Sequence, residues 1–127
     1  MGFIKKYSPY LAAVSLLILF IASRYYNILS LPIFTDEAIY IRWSQIAKND
    51  AAWRFISLTD GKQPMFVWIA MVLLKFIRDP LLAGRTVSVI AGFFSLIGIF
   101  FLTNEIFKNQ KTAAIACLLY ILFPFSL

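Results

Sequence analysis

The stretch TVSVIAGFFSLIGIFFLTN, residues 86–104, contains no charged side chain and is rich in aliphatic and aromatic residues. A helix over this stretch would be about 28 Å long, which is close to the ~30 Å hydrocarbon thickness of a bilayer. Two further uncharged runs, Tyr7–Ser23 and Thr112–Leu127, precede and follow it. The sequence therefore predicts an all-α membrane protein with about three transmembrane helices.

The composition agrees with a membrane location and argues against a nucleic-acid partner. Hydrophobic residues make up 61% of the chain and charged residues 14%, which is too apolar for a water-soluble domain of this size. The net charge of +6 comes from basic residues dispersed among apolar runs. No Lys/Arg block is present that could follow a phosphate backbone. Orientation in the membrane and attraction to anionic lipid headgroups explain the charge, so we expect the lipid bilayer as a partner.

The residue types limit the chemistry that this chain can perform. It has no histidine, which excludes a Ser-His-Asp triad, a histidine-based zinc site and an imidazole base within the chain. Its single cysteine, Cys117, lies in the last apolar run and is interpreted as a helix-packing residue. Carboxylates remain as the candidate acid–base groups.

The N-terminal run has two interpretations. Lys5 and Lys6 before an apolar stretch resemble a signal peptide, with a weak cleavage site at Ala22-Ser23. The aromatic pair Tyr25-Tyr26 just past Arg24 is typical of an interfacial belt instead. We therefore expect an uncleaved anchor.

A fourth apolar segment, Pro64–Ile77, is short for a span and contains Lys75. It would reach about 21 Å as a helix, against about 30 Å of hydrocarbon. If it crossed, the pairs Lys5/Lys6 and Lys108/Lys111 would lie on opposite sides of the membrane, which the positive-inside rule disfavours. We predict a re-entrant or juxtamembrane helix here and cytoplasmic positions for both lysine pairs. The predicted order is span 1 over 7–29, an external loop over 31–84, span 2 over 85–107 and span 3, truncated, over 112–127.

The external loop is predicted to contain two interfacial helices, over 36–48 and 64–77. Thr35 is the predicted N-cap of the first, whose initial turn holds Asp36 and Glu37. Asp60-Gly61 is a turn signal. The apolar stripe expected on the first helix consists of Ile39, Trp43, Ile46 and Ala47.

The adjacent acids Asp36 and Glu37 are the main candidates for catalysis. For such a pair taken alone, the simpler interpretation is that two carboxylates in a first turn complement the helix dipole. The other polar residues around them in the sequence favour a functional site. These residues are Arg24 near the end of the first span, Tyr40 one helical turn after Asp36, Lys62 before Pro64, and Arg85 at the start of the next span.

The order of these landmarks resembles the N-terminal part of the GT-C membrane glycosyltransferases, in the family of the protein O-mannosyltransferases and lipid A aminoarabinose transferases (glycosyltransferase family 39-like). They read Arg24, TDEAIY at 35–40, GKQPMFVWI at 61–69 and GRTVSVI at 84–90. The similarity covers almost the whole chain but roughly the first quarter of a family member. No single motif is highly specific, and the resemblance rests on the order and spacing of all four. Two positions depart from the family pattern: Gln63-Pro64 replaces the two prolines, and Met65 the leucine, that are usual in relatives.

The resemblance implies an inverting transfer of a sugar from a polyprenyl-phosphate-linked donor to an acceptor hydroxyl or phosphate on the extracytoplasmic face of the cell membrane. It implies Asp36 as the catalytic base, with Glu37 orienting the site or holding an arginine. A phosphate leaving group needs no general acid. Lys62 and Arg85 would neutralise that phosphate, although interfacial snorkelling explains each of them equally well. Arg24 and Tyr40 would complete the substrate-binding site.

Several points stay open at the level of sequence. The sugar is not specified, nor is the acceptor, which could be a protein, a lipid or a glycan. A divalent cation is a possible cofactor, although only carboxylates could be its ligands and no loop of EF-hand type is present. A non-enzymatic membrane accessory protein and a fragment of a transporter are the alternative functions. Because the last apolar run stops at Leu127 without a polar anchor, we expect a truncated chain that is inactive alone.

Overall fold

The computed structural model describes the backbone of residues 2–26 and 28–123 and the side chains of residues 13–26 and 28–123. All regular secondary structure in these residues is helical, which confirms the predicted all-α class. Two short 3-10 helices, Ala51–Trp53 and Ile56–Asp60, join the second and third α-helices. The α-helices are α1 (Gly2–Tyr25), α2 (Thr35–Asn49), α3 (Met65–Leu73), α4 (Pro80–Phe107) and α5 (Gln110–Leu122).

Among the described residues, one helix, α4, is long and apolar enough to cross a membrane. Shorter apolar helices cover Ala13–Tyr25 and Gln110–Leu122. The end of the predicted third span, residues 124–127, lies outside the described part of the chain. Of the three predicted spans, the structure therefore supports one by length and composition.

Helix α4 begins at Pro80, earlier than the predicted start at residue 85. The Asp79 carboxylate accepts hydrogen bonds from the backbone N–H groups of Leu81 (2.8 Å) and Leu82 (3.1 Å). Asp79 thus caps the helix, and Pro80 takes the first helical position, where its missing N–H costs nothing. The Asp-Pro pair is a signal in the sequence for this helix start.

Helix α2 also begins differently from the prediction. Phe34 has the extended backbone of an N-cap, with φ −82° and ψ 150°, and no side chain caps the helix. The Phe34 carbonyl accepts a hydrogen bond from Ala38 N at 3.0 Å, which places Thr35 inside the first turn. The prediction that Thr35 is the N-cap was therefore wrong. Asp36 and Glu37 nevertheless lie in the first turn.

The buried face of α2 is rotated from the predicted stripe. Ile41, Ser44 and Ala47 are the buried residues, and of the predicted stripe only Ala47 is among them. The Ser44 hydroxyl donates to the Tyr40 carbonyl at 2.8 Å, so this small polar side chain is satisfied inside the core. Helix α2 can therefore pack closely against α3, whose Val67 and Ala70 are also buried.

The chain divides into two compact units. The first consists of residues 1–26 and 91–127 and the second of residues 27–90. In the first unit, Phe20 and Cys117 are buried, as a packing role for the cysteine requires. The Tyr120 hydroxyl donates to the Gly92 carbonyl at 3.3 Å, which links α5 to α4.

The second unit contains a close contact between two helices at a glycine. Gly84 faces Ile41, and a Cβ atom at residue 84 would lie 2.9 Å from Cγ1 of Ile41. Real Cβ atoms essentially never approach so closely, so a side chain at this position would force the Ile41 side chain or the two helices to shift. Gly84 therefore permits the packing that brings the start of α4 against α2.

Gly84→Ala should lower the free energy of unfolding by about 1–3 kcal/mol because the added methyl group overpacks the contact with Ile41. Gly98→Ala, in the same helix, is the matched control, since nothing lies within 4 Å of its added methyl group. It should leave stability unchanged or raise it by up to about 1 kcal/mol through helix propensity. Denaturant unfolding in detergent measures both. Equal stability of the two variants would contradict the close contact.

Candidate functional site

The two adjacent acids at the start of α2 have different surroundings, and Glu37 is the one with a strong partner. Arg85 Nε donates to Glu37 Oε1 at 2.7 Å, and Arg85 Nη2 donates to Glu37 Oε2 at 2.9 Å. A guanidinium matches a carboxylate in this two-bond geometry, which gives the pair orientation as well as energy. The Arg85 side chain is 13% exposed and that of Glu37 24% exposed, so water screens the pair only partly.

Arg85 also binds the segment that precedes α2. Its Nη1 donates to the carbonyl of Ile28, and its Nη2 donates to those of Leu31 at 3.0 Å and Pro32 at 3.4 Å. Most of the five guanidinium N–H groups are therefore used inside the protein. One side chain on α4 thus holds both the segment over residues 28–32 and the first turn of α2.

The same contact changes the acidity of Glu37. Hydrogen bonding from Arg85 holds the pKa of the Glu37 carboxyl below its ordinary value. Partial burial opposes this effect, while the positive charge of Arg85 adds to it. Glu37 is therefore held in its ionised form as part of a structural ion pair.

Asp36 faces outward and has a weaker partner. Its side chain is 64% exposed, and its Oδ1 lies 3.4 Å from Nζ of Lys62. Exposed ion pairs of this length contribute little to stability. Asp36 is thus an accessible carboxylate with a cation beside it.

Lys62 is held in place by aromatic rings. Its ammonium lies 5.1 Å from the ring centroid of Tyr40 and 5.7 Å from that of Trp43. The two rings meet edge to face at 5.6 Å, and Phe66 supports Tyr40 at 5.3 Å. Cation–π attraction therefore orients a flexible side chain that is still 29% exposed.

The turn before Lys62 directs it toward α2. Gly61 has a left-handed backbone, with φ 69°, and ends the 3-10 helix Ile56–Asp60. The N–H of Lys62 then bonds to the Ser57 carbonyl at 3.0 Å. The turn predicted at Asp60-Gly61 is present, and it fixes the direction of the following lysine.

The structure brings five of the six predicted site residues together around the start of α2: Asp36, Glu37, Tyr40, Lys62 and Arg85. The sixth, Arg24, belongs to the other unit, where it is buried and its guanidinium lies 5.5 Å over the Phe20 ring. Trp43 was predicted to belong to the apolar stripe of the first interfacial helix, but its ring contacts the ammonium of Lys62. Its position three residues after Tyr40 on a helix was the signal that could have identified it.

Two further findings concern the site. The described part of the chain contains no group of three or more His, Cys, Asp or Glu side chains placed to hold a metal ion. No protein-family model, no curated protein and no solved structure matches the chain.

Proposed function

We propose that this chain is the N-terminal portion of a GT-C membrane glycosyltransferase that uses a polyprenyl-phosphate-linked sugar. The observation that supports the proposal is the difference in surroundings between two adjacent acids. Glu37 bonds through both oxygens to Arg85, whereas Asp36 keeps 64% of its side chain exposed beside Lys62. Complementing the helix dipole would not require two such different environments.

The reaction needs one accessible base and little else from the protein. Asp36 takes the proton of the acceptor hydroxyl as the hydroxyl oxygen forms a bond with the anomeric carbon of the sugar. The bond from that carbon to the phosphate oxygen breaks, and the phosphate leaves with the electron pair. Attack from the face opposite the leaving group inverts the anomeric centre. The phosphate is acidic enough to depart without a proton, so a second catalytic acid is unnecessary.

Lys62 is the proposed cation for the donor phosphate. Its ammonium carries three N–H groups, and the contact with Asp36 at 3.4 Å engages at most one of them. The aromatic rings of Tyr40 and Trp43 hold the charge at the surface without neutralising it. A phosphate bound there would lie next to the proposed base.

Arg85 is proposed as a positioning residue for Glu37. The sequence resemblance also implied that Arg85 neutralises the donor phosphate, and this stays a prediction. The contacts favour the positioning role, because its guanidinium already donates to Glu37 and to the carbonyls of Ile28 and Leu31.

We also propose a multi-pass location in the cell membrane with the Asp36 site outside. The apolar length of α4 and the predicted cytoplasmic lysine pairs support this topology. In a chain with Cys117 replaced by alanine, an impermeant thiol reagent added to intact cells should label Thr59→Cys. The same reagent should leave Lys6→Cys and Asn109→Cys unlabelled. Labelling of Asn109→Cys from outside would rule out the proposed orientation.

Asp36→Asn should lower turnover by about 10²–10⁴-fold in the natural full-length protein that contains this chain, because asparagine keeps the shape but cannot accept the proton. Donor binding and membrane expression should change little. Turnover of a polyprenyl-phosphate sugar in proteoliposomes is the measurement. Glu37→Gln should also impair activity, with a larger share of the loss in stability.

Asp50→Asn is the matched control for the base. It makes the same chemical change on an exposed acid just past the opposite end of α2, where the amide oxygen can still accept the hydrogen bond from Ala52 N, and it should leave turnover unchanged. Wild-type turnover in a well-folded Asp36→Asn protein would show that Asp36 is a dipole partner and not the base.

A further inference from the structure

A second polar cluster lies in the C-terminal half of α2. A cavity of about 530 Å³ opens there between α2 and the segment that joins α3 to α4. Four of its lining residues are cationic and none is acidic. The polar residues that line it are Arg42, Gln45, Lys48, Asn49, Lys75 and Arg78.

No acidic side chain forms an ion pair with the cations of this cavity in the described structure. Arg42, Lys75 and Arg78 have no ion pair or side-chain hydrogen bond there. The neighbouring acids are engaged with other groups. Asp50 accepts a hydrogen bond from Ala52 N at 2.9 Å, and Asp79 caps the start of α4.

The Lys48 side chain lines the cavity in a position fixed by a hydrogen bond. Its Nζ donates to the carbonyl of Leu74 at 2.8 Å, just past the end of α3. This bond holds the ammonium in place and leaves two N–H groups available. Amide groups from Gln45 and Asn49 add neutral donors beside the charges.

Cations gathered around one cavity repel each other, and an anion removes that repulsion. Arginine guanidinium groups match the oxygens of a phosphate with paired hydrogen bonds, and lysine adds a point charge. The volume lies within the range of about 300–1,000 Å³ typical of small-ligand sites. The chemistry therefore favours a phosphate group with part of the molecule that carries it.

We infer that this cavity is a binding site for a phosphate-bearing ligand, separate from the Asp36 site. Gln45 lies nine residues after Asp36 on the same helix, which is about 14 Å along the axis. The inference does not rest on glycosyl transfer. Two sources supply this chemistry, a soluble phosphate compound and the headgroup of a phospholipid.

Two measurements on the purified chain in neutral detergent test the site. Calorimetry measures the binding of inorganic pyrophosphate. Native mass spectrometry measures the binding of phosphatidate, with zwitterionic phosphatidylcholine as the reference lipid. Arg42→Gln and Arg78→Gln should each weaken phosphate binding about tenfold, since each removes one charge-assisted contact. Arg54→Gln is the matched control, because it removes the same charge from the same unit outside the cavity. It should bind like the wild type.

The two measurements distinguish a soluble phosphate compound from a phospholipid headgroup as the ligand. Cavity-dependent binding of pyrophosphate alone indicates a soluble ligand, and cavity-dependent binding of phosphatidate alone indicates a lipid headgroup. The site is overturned if neither probe depends on Arg42 or Arg78, or if Arg54→Gln weakens binding as much. Helix content by circular dichroism verifies that each variant is folded. Asp36→Asn should leave both probes bound, so a failed catalytic proposal would not remove this site.

Discussion

The guanidinium of Arg85 connects three parts of the unit formed by residues 27–90. Carried by helix α4, it binds both oxygens of Glu37 at the start of α2 and the carbonyls of Ile28 and Leu31 before α2. Loss of either charged partner would leave a partly buried charge unpaired, which costs more than an exposed ion pair contributes. The position of the first turn of α2, and with it the direction of Asp36, depends on this interaction.

The ion pair also determines which charged side chains of the unit remain accessible to a ligand. Because Glu37 is committed to Arg85, Asp36 is the acid of the pair that remains accessible, and Lys62 is the cation beside it. At the other end of α2, the cations around the cavity lack acidic partners in the described structure. One helix therefore presents a carboxylate with a lysine at its start and an excess of positive charge near its end. These are different chemical environments, and we propose that they serve a base and a bound anion.

Local patterns in the sequence predicted much of this structure, and long-range contacts account for what they missed. The apolar helix over 86–104 and the turn at Asp60-Gly61 could be predicted because the length of an apolar run and a turn glycine are local signals. Asp79-Pro80 is an equally local signal for the start of α4, which lies five residues before the start predicted from the apolar run. The buried face of α2 was mispredicted because Ser44 satisfies its hydroxyl on the backbone and packs like a small apolar residue. The partners of Arg85 lie 48 or more positions away in sequence, so no local pattern could assign them.

The pH dependence of the free energy of unfolding, measured for the wild type and for Glu37→Gln, tests the central role of the ion pair most directly. Because the pKa of Glu37 is lowered in the folded protein, the pair contributes its full stabilisation above the ordinary value of 4.5 and loses it as the pH falls below that value. The wild type should therefore be more stable than Glu37→Gln by a constant amount at neutral pH, and this difference should shrink in acid. Arg85→Gln should lose most of the same pH-dependent part, because the hydrogen bond from Arg85 is the largest cause of the lowered pKa of Glu37. Identical pH profiles for the wild type and Glu37→Gln would contradict an ion pair that holds the site together.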